Sequence, residues 1–414
     1  MNTNDIASGL AANVMQGVSV PDALLGPVPS WSVDFTQGVG GGLSFSRASG
    51  ATSFDATGKL VTAASSVARL DFDPVSHAAL GLLVEEARTN LLLQSHNFAA
   101  ASWLKVSGVT ITTGVDGPWG TGTAFLLNNV SAGAGRLEQT VTVVSGSTYT
   151  VTADFKQGNQ ATAMLRVDAT ATMYISLDLA AGSITGSSGT PVNPTIMPLG
   201  NGWYRASFTF AATGTSCIVR LYSSATAGAT VCMDNAGLEL GSFASSTIVT
   251  TTAAATRVQD VCGGTTFAGF NPHEGTLIVE AAMAGVKPGT GTPTAVSIDA
   301  GNDSNRVQVC VNSSGQPGAR VVVGGTNIVA ADGTALAVRQ KRKLAVAYKS
   351  GDTDYAFGGV AGTAVTAAFA DLAGFVNLHI GAGSAGTVPF TGWIRKISYY
   401  NTRLSNAQLA QLTS

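Results

Sequence analysis

The sequence predicts an all-β protein: tandem β-sandwich (jelly-roll) modules behind a short N-terminal helix or anchor segment. Three observations carry this. Gly is abundant at 50 of 414 residues, hydrophobic residues make up 45% and charged residues only 11%. Val, Thr and aromatic residues suit a pleated, half-buried surface, while the Lys, Glu and Leu that dominate helical proteins are scarce. Short alternating segments recur at regular spacing, with Gly, Ser and Asn turns between them. A chain of this length is expected to form two or three folded units.

Residues 1–30 read as the anchor segment. Ile6, Leu10, Val14 and Met15 recur at helical spacing, and Asn4 or Asp5 offers a cap. So short a helix is marginal in water and needs something to lie against. Pro21, Pro27 and Pro29 then keep the chain extended up to Trp31. Residues 31–94 predict a small β module from "LSFSRA", "KLVTAA" and "ARLDFD", ending in "GLLVEEARTNLLL".

Residues 95–245 have the size and rhythm of a jelly roll, with about eight or nine strands. Within it "QTVTVVSGSTYTVTADFKQG" predicts a hairpin turning at Ser145-Gly146-Ser147, because both arms alternate polar and apolar residues. Residues 246–265, rich in Thr, Ala and Ser, read as an extended linker. Residues 266–414 predict another sandwich, closed by a helix in "SNAQLAQLTS" with Ser405 as N-cap and Leu409 and Leu412 facing inward.

Several function classes are excluded by composition. The net charge of −2 leaves no basic stripe for nucleic acid. No stretch reaches the roughly 18 apolar residues of a membrane span. The N-terminus lacks the basic flank and apolar run of a secretory signal, so synthesis and assembly in a cytoplasm are expected. Cys217, Cys232, Cys262 and Cys310 form no C-x-x-C pair and are expected to be buried free thiols.

Catalytic chemistry finds little support. Glu85 and Glu86 are adjacent, so on a strand they point to opposite faces. A glycosidase needs two carboxylates facing each other at roughly 5–10 Å. Glu85, Glu86, Arg88 and Asn90 therefore read as a domain joint, solvated or ion-paired, with Arg88 against Glu85 or Glu86 and Asn90 bonding turning backbone. His77, His96, His273 and His379 lie far apart, and no hydrolase, metalloprotease or phosphate-loop motif occurs. The chain is not expected to be an enzyme. Sugar binding would use aromatic platforms. Among the candidates Trp103, Trp119, Trp203, Tyr204, Trp393, Tyr399 and Tyr400, the two that follow Gly at strand starts, Trp203 and Trp393, read as core. Trp103 and Trp119 lie near loops, and Tyr399 and Tyr400 straddle both sheet faces, so these four are the glycan-binding candidates.

Three stretches carry a resemblance. "FSRASGATSFDATGKLVTAASSVARLDFDP" followed by "GLLVEEARTNLLLQS" resembles the N-terminal module of bacteriophage virion fibre and spike proteins. "NGWYRASFTFAA" and "MDNAGLELGSFASS" look like the carbohydrate-binding-module jelly roll that follows in many of them. "GWIRKISYYNTRLSNAQLAQLTS" is similar to the close of concanavalin A-like, laminin-G-type lectin sandwiches. The resemblance implies a structural virion protein, a fibre or spike subunit, trimeric, that attaches to host-surface polysaccharide. It also implies binding to other virion proteins through the N-terminal segment, and a structural Ca²⁺ for which Asp234 and Asp154 are the candidate ligands. The alternatives are a head or tail decoration protein without glycan affinity and, third, an enzyme degrading capsule or cell-wall polysaccharide.

Overall fold

A computed structural model describes residues 26–414 apart from positions 41, 134, 265, 266, 268, 288 and 290. The helix expected over residues 4–17 lies outside the described residues. The chain is nearly all β, and its strands form two sandwiches and a two-stranded hairpin.

The first sandwich lies within residues 88–257. Its eight-stranded sheet runs Val192–Gly200, Trp203–Ala211, Thr148–Gln157, Ala229–Leu240, Gly120–Asn129, Val109–Gly117, with Arg88–Asn90 and Ala255–Arg257 added beside Ala229–Leu240. A six-stranded sheet packs against it. Val151, Phe155 and Phe208 from one sheet meet Leu165, Val167 and Leu221 from the other in one buried core, as in aligned sandwich packing. Alternation explains the arrangement. Along Trp203–Ala211, Ala206, Phe208 and Phe210 enter this core, while Arg205, Ser207 and Thr209 face the opposite way.

The second sandwich pairs an eight-stranded sheet centred on Glu274–Met283 and Gly392–Tyr400 with a seven-stranded sheet containing Thr294–Asp299 and Arg306–Val311. Leu277, Val279, Val296 and Val307 share its core. The closing helix, Asn406–Thr413, has Ser405 in a capping box with Gln408, and Leu409 is buried against Ile278 and Tyr400.

Two organisational expectations are corrected. The expected hairpin at Ser145-Gly146-Ser147 is an arch between sheets. Arg136–Thr142 pairs with Ser216–Tyr222 in the six-stranded sheet, whereas Thr148–Gln157 pairs with Trp203–Ala211 in the eight-stranded one. Both arms aim apolar residues at one core from opposite sides, and alternation alone cannot tell that from a hairpin.

Residues 31–94 do not make a sheet of their own beyond the hairpin Ala51–Phe54/Leu60–Ala63. Trp31–Asp34 and Ala79–Val84 pair with Gly392–Tyr400, and Arg69–Phe72 extends the same sheet. Ser44–Ser46 joins the opposite sheet through Val261–Gly264, which lies in the expected linker. Strands of three to six residues cannot enclose a core, so they complete sheets whose cores already exist. Val33, Phe35, Leu82 and Val84 are accordingly buried in the second sandwich. Gly81 shows how closely: at φ 108 a Cβ there would lie 2.5 Å from the Ile394 carbonyl oxygen.

All four cysteines are free and buried. Burial pushes the Cys217 and Cys262 thiols up to about 12 and Cys310 up to about 11. The native protein is expected to give no thiol titre with an aromatic disulfide reagent at pH 8, and four per chain in denaturant. A native titre above one would contradict the packing. No helix among the described residues is long and apolar enough to cross a membrane.

Candidate functional site

Three of the four proposed aromatic platforms are not available to a ligand. Trp103 is fully buried, with its ring 5.1 Å from Phe98 and its indole N–H donated to the Gln94 carbonyl at 3.0 Å. Tyr399 is fully buried; its hydroxyl lies 2.7 Å from that of Tyr348 and accepts the Asn271 amide at 2.8 Å. Tyr400 points to the other face, as adjacent strand residues do, but the closing helix covers that face. Trp119 is half-buried, donating to Asn235 Oδ1 at 2.9 Å with its ring 5.3 Å from His96.

The calcium candidates face each other across neighbouring strands, yet they do not fit the ion. Asp154 accepts Arg205 Nε at 2.7 Å and Nη2 at 2.8 Å, plus Asn235 Nδ2 at 2.9 Å. A guanidinium clamped on the carboxylate occupies its oxygens and repels a divalent cation. Asp234 pairs with His96 Nδ1. Ca²⁺ requires six to eight oxygen ligands, and no cluster of three or more His, Cys, Asp or Glu suited to a metal occurs among the described residues.

The segment "GLLVEEARTNLLL" crosses from one sandwich to the other, and its charges are buried rather than solvated. Glu85 accepts Arg69 Nη1 at 2.7 Å, Ser246 Oγ at 2.6 Å and the Ser246 amide at 2.8 Å, with Arg257 Nη1 at 3.1 Å. Arg69 also reaches Asp260 at 2.5 Å, and Asp260 takes Arg47 at 2.9 Å. Burial would push Glu85 up, but Arg257, Arg69 and the Ser246 bonds overcome it and hold the carboxyl at about 2. Glu86 turns the other way, to Arg88 at 2.6 Å and Lys287 at 2.5 Å. Asn90 donates to the Ala236 and Ile248 carbonyls and accepts from the Leu92 and Leu238 amides, so its amide is saturated. Gly241 has φ 140, a backbone that favours glycine, and the Arg88 guanidinium fills the space a Cβ there would take.

Beside this seam a cleft of about 590 Å³ opens between the sandwiches. One wall is the outward face of the first sandwich, carrying Thr195, Ser207, Thr150 and Thr209. Thr195 Oγ1 and Ser207 Oγ are 2.6 Å apart, and Thr150 Oγ1 and Thr209 Oγ1 are 2.8 Å apart, the latter two buried and also bonded to the Gly241 and Ser242 carbonyls. The facing wall is mainly apolar, Leu83, Ala284, Val286, Val338 and Trp393, with the charged Arg339 among them. The hairpin residues Phe54 and Leu60, the strap 242–247 and the ionisable Asp71, Glu85 and Arg205 also line it.

No protein-family model and no curated protein matches the chain. Among solved structures, the carbohydrate-binding module CBM40 of the Ruminococcus gnavus IT-sialidase, bound to α2,3 sialyllactose, is similar over 35% of this chain and 84% of its own. Its identity is 17% and its TM-score 0.31. The leech intramolecular trans-sialidase, complexed with 2,7-anhydro-Neu5Ac, is similar over 36% of this chain and 25% of its own, at 22% identity and a TM-score of 0.31. Domain 4 of AbnA, a GH43 arabinanase of Geobacillus stearothermophilus in complex with arabinotriose, is similar over 39% and 77%, at 16% identity and a TM-score of 0.30. Likeness at this level carries no functional argument, and the β-sandwich fold rests on the sheets themselves.

The cleft's lining includes four ionisable side chains, Asp71, Glu85, Arg205 and Arg339. Its two carboxylates are both committed. Glu85 belongs to the seam network, and Asp71 accepts the Phe54 amide and Trp393 Nε1, each at 2.7 Å. Among the described residues no histidine lines it. Its residues were invisible in the sequence as a site, because Thr195, Ser207 and Val338 are ordinary strand and loop residues until the two sandwiches face each other. Trp393 does read as buried, under Arg339, whose guanidinium lies 4.5 Å from the ring centroid.

Proposed function

We propose that this chain is a non-catalytic, glycan-binding subunit of a bacteriophage virion, a fibre or spike protein that takes up host-surface polysaccharide in the cleft between its sandwiches. The observation that carries the glycan part is the cleft's two-sided polarity, a hydroxyl-bearing wall facing a mainly apolar one. A pyranose presents the same two faces, with hydroxyls around its edge and C–H groups above the ring. The virion part is supported by the sequence resemblance of "GLLVEEARTNLLL" and of the jelly-roll and lectin-like stretches. In that setting the N-terminal segment joins other virion proteins, the subunit is trimeric, and weak single-site affinity is multiplied by copies on one particle.

Thr195 is exposed on the hydroxyl wall, so Thr195→Trp fills the cleft without touching a core. On a bacterial glycan array the wild-type chain is expected to bind a subset of polysaccharides, and Thr195→Trp to lose about tenfold or more in affinity with its melting temperature unchanged. Wild-type binding that survives Thr195→Trp would move the site elsewhere. No binding at all would favour the decoration protein, and reducing ends released from host polysaccharide would favour the enzyme.

A further inference from the structure

Resting on the reading of the cleft as a glycan site, we propose that it selects acidic saccharides, with Arg339 pairing a carboxylate on the sugar. The argument is one of charge matching. Four ionisable side chains line the cleft: Asp71, Glu85, Arg205 and Arg339. The first three are satisfied inside the protein. Asp71 holds the Phe54 amide and the Trp393 indole. Glu85 is clamped by Arg69 and Arg257, and Arg205 grips Asp154. Asp71 and, less strongly, Asp73 are close enough for their charges to be felt by Arg339, but neither is hydrogen-bonded to it, and Asp73 turns its Oδ1 to the Val75 and Ser76 amides. Among the described residues, the Arg339 guanidinium has the Trp393 ring as its contact and no hydrogen bond or ion pair. The lining thus carries one charged group whose hydrogen-bond donors are unused, and it is positive.

Backbone geometry points the same way. Arg339 has φ 64, a left-handed conformation unusual for a residue with a side chain. Its amide is fastened to the Met283 carbonyl at 2.8 Å, and the next residue, Gln340, donates to the Ala337 carbonyl at 3.1 Å. Strain of this kind persists only where neighbouring structure enforces it, and it concentrates at ligand clamps. Here it seats the Arg339 guanidinium on the Trp393 face at the cleft. The planar fork matches a carboxylate in a bidentate pair, and stacking on the indole orients it beforehand. The hydroxyl wall then meets the rest of the ring.

Carboxylated pyranoses come from two sources, hexuronic acids and sialic acids. Calorimetric titration of the full chain with trigalacturonate, with an α2,8-linked sialic acid trimer, and with the methyl ester of trigalacturonate separates charge from sugar. At least one acid trimer is expected to bind about tenfold or more tightly than the neutral ester, the scale of one hydrogen-bonded charge. The preference should weaken as salt rises. Arg339→Gln and Arg339→Gly should both abolish it. The glycine also relieves the left-handed backbone, so its melting temperature should not fall, which separates lost binding from lost folding. Arg339→Lys should keep part of the preference. Equal binding of acid and ester, or a preference that survives Arg339→Gln, would overturn the acidic assignment. If Thr195→Trp then removes that binding, the glycan cleft itself stands. Absence of binding by either acid also overturns the assignment, while the array with neutral glycans decides the cleft reading separately.

Discussion

Arg69→Met is expected to lower the unfolding free energy by about 3 kcal/mol, the lower end of what breaking a buried ion pair costs. Arg69 is fully buried and donates to Glu85, Asp260, the Thr52 carbonyl and Ser246 Oγ. Methionine fills much of the volume but returns none of those bonds, leaving two carboxylates in a low-dielectric seam. The loss stays near the lower end because neither carboxylate is stranded: Glu85 keeps Arg257 and Asp260 keeps Arg47. The comparison that isolates burial is Lys287→Met. Lys287 also pairs with a joint carboxylate, at 2.5 Å, but its side chain is 50% exposed against 0% for Arg69. An exposed pair contributes at most about 1 kcal/mol. Denaturant midpoints of the two variants give the test. Equal shifts would mean that the seam network does not hold the sandwiches together.

How far this was legible in the sequence depends on where each partner lies along the chain. Strand identity is local, so "NGWYRASFTFAA" gives the correct strand. The capping box at Ser405 spans three positions and is equally readable. Pairing is not local. The two arms around Gly146 have hairpin-like patterns but belong to opposite sheets. The joint shows both sides. Between Leu82 and Leu91, sequence identifies a seam and pairs Arg88 with Glu85 or Glu86, and the structure selects Glu86. It cannot show that Glu85 is buried, because the partners that make burial tolerable arrive from 16 positions away at Arg69 and 161 at Ser246. The aromatic candidates fail for a related reason. A sandwich packs its large rings inside, and nothing near Trp103 or Tyr399 in sequence reveals that each ring lies in a core. The cleft is the extreme case, since its opposing walls, such as Ser207 and Val338, belong to different sandwiches.

The same buried carboxylate makes a prediction for acid. Glu85 titrates at about 2 in the folded protein against an ordinary value of 4.5. Between those values the unfolded chain binds a proton that the folded chain refuses, so stability rises with pH through this window. The contribution, roughly 3 kcal/mol, is complete above about pH 5 and is lost as pH falls toward 2. Asp71, Asp234 and Glu239 work in the opposite sense. Burial raises all three, so what each contributes is present below its unfolded value and is lost as pH climbs through the folded one. A raw acid-unfolding curve mixes both signs. Glu85→Gln separates them, because glutamine resembles the protonated acid and leaves every other group in place. The stability gap between wild type and Glu85→Gln is expected to be roughly 3 kcal/mol at pH 7 and to close as pH approaches 2, whatever the remaining carboxyls do. A gap that stayed constant from pH 7 to pH 2.5 would show that the Arg69–Glu85–Arg257 cluster does not hold its charge, and with it the electrostatic account of the seam would fall.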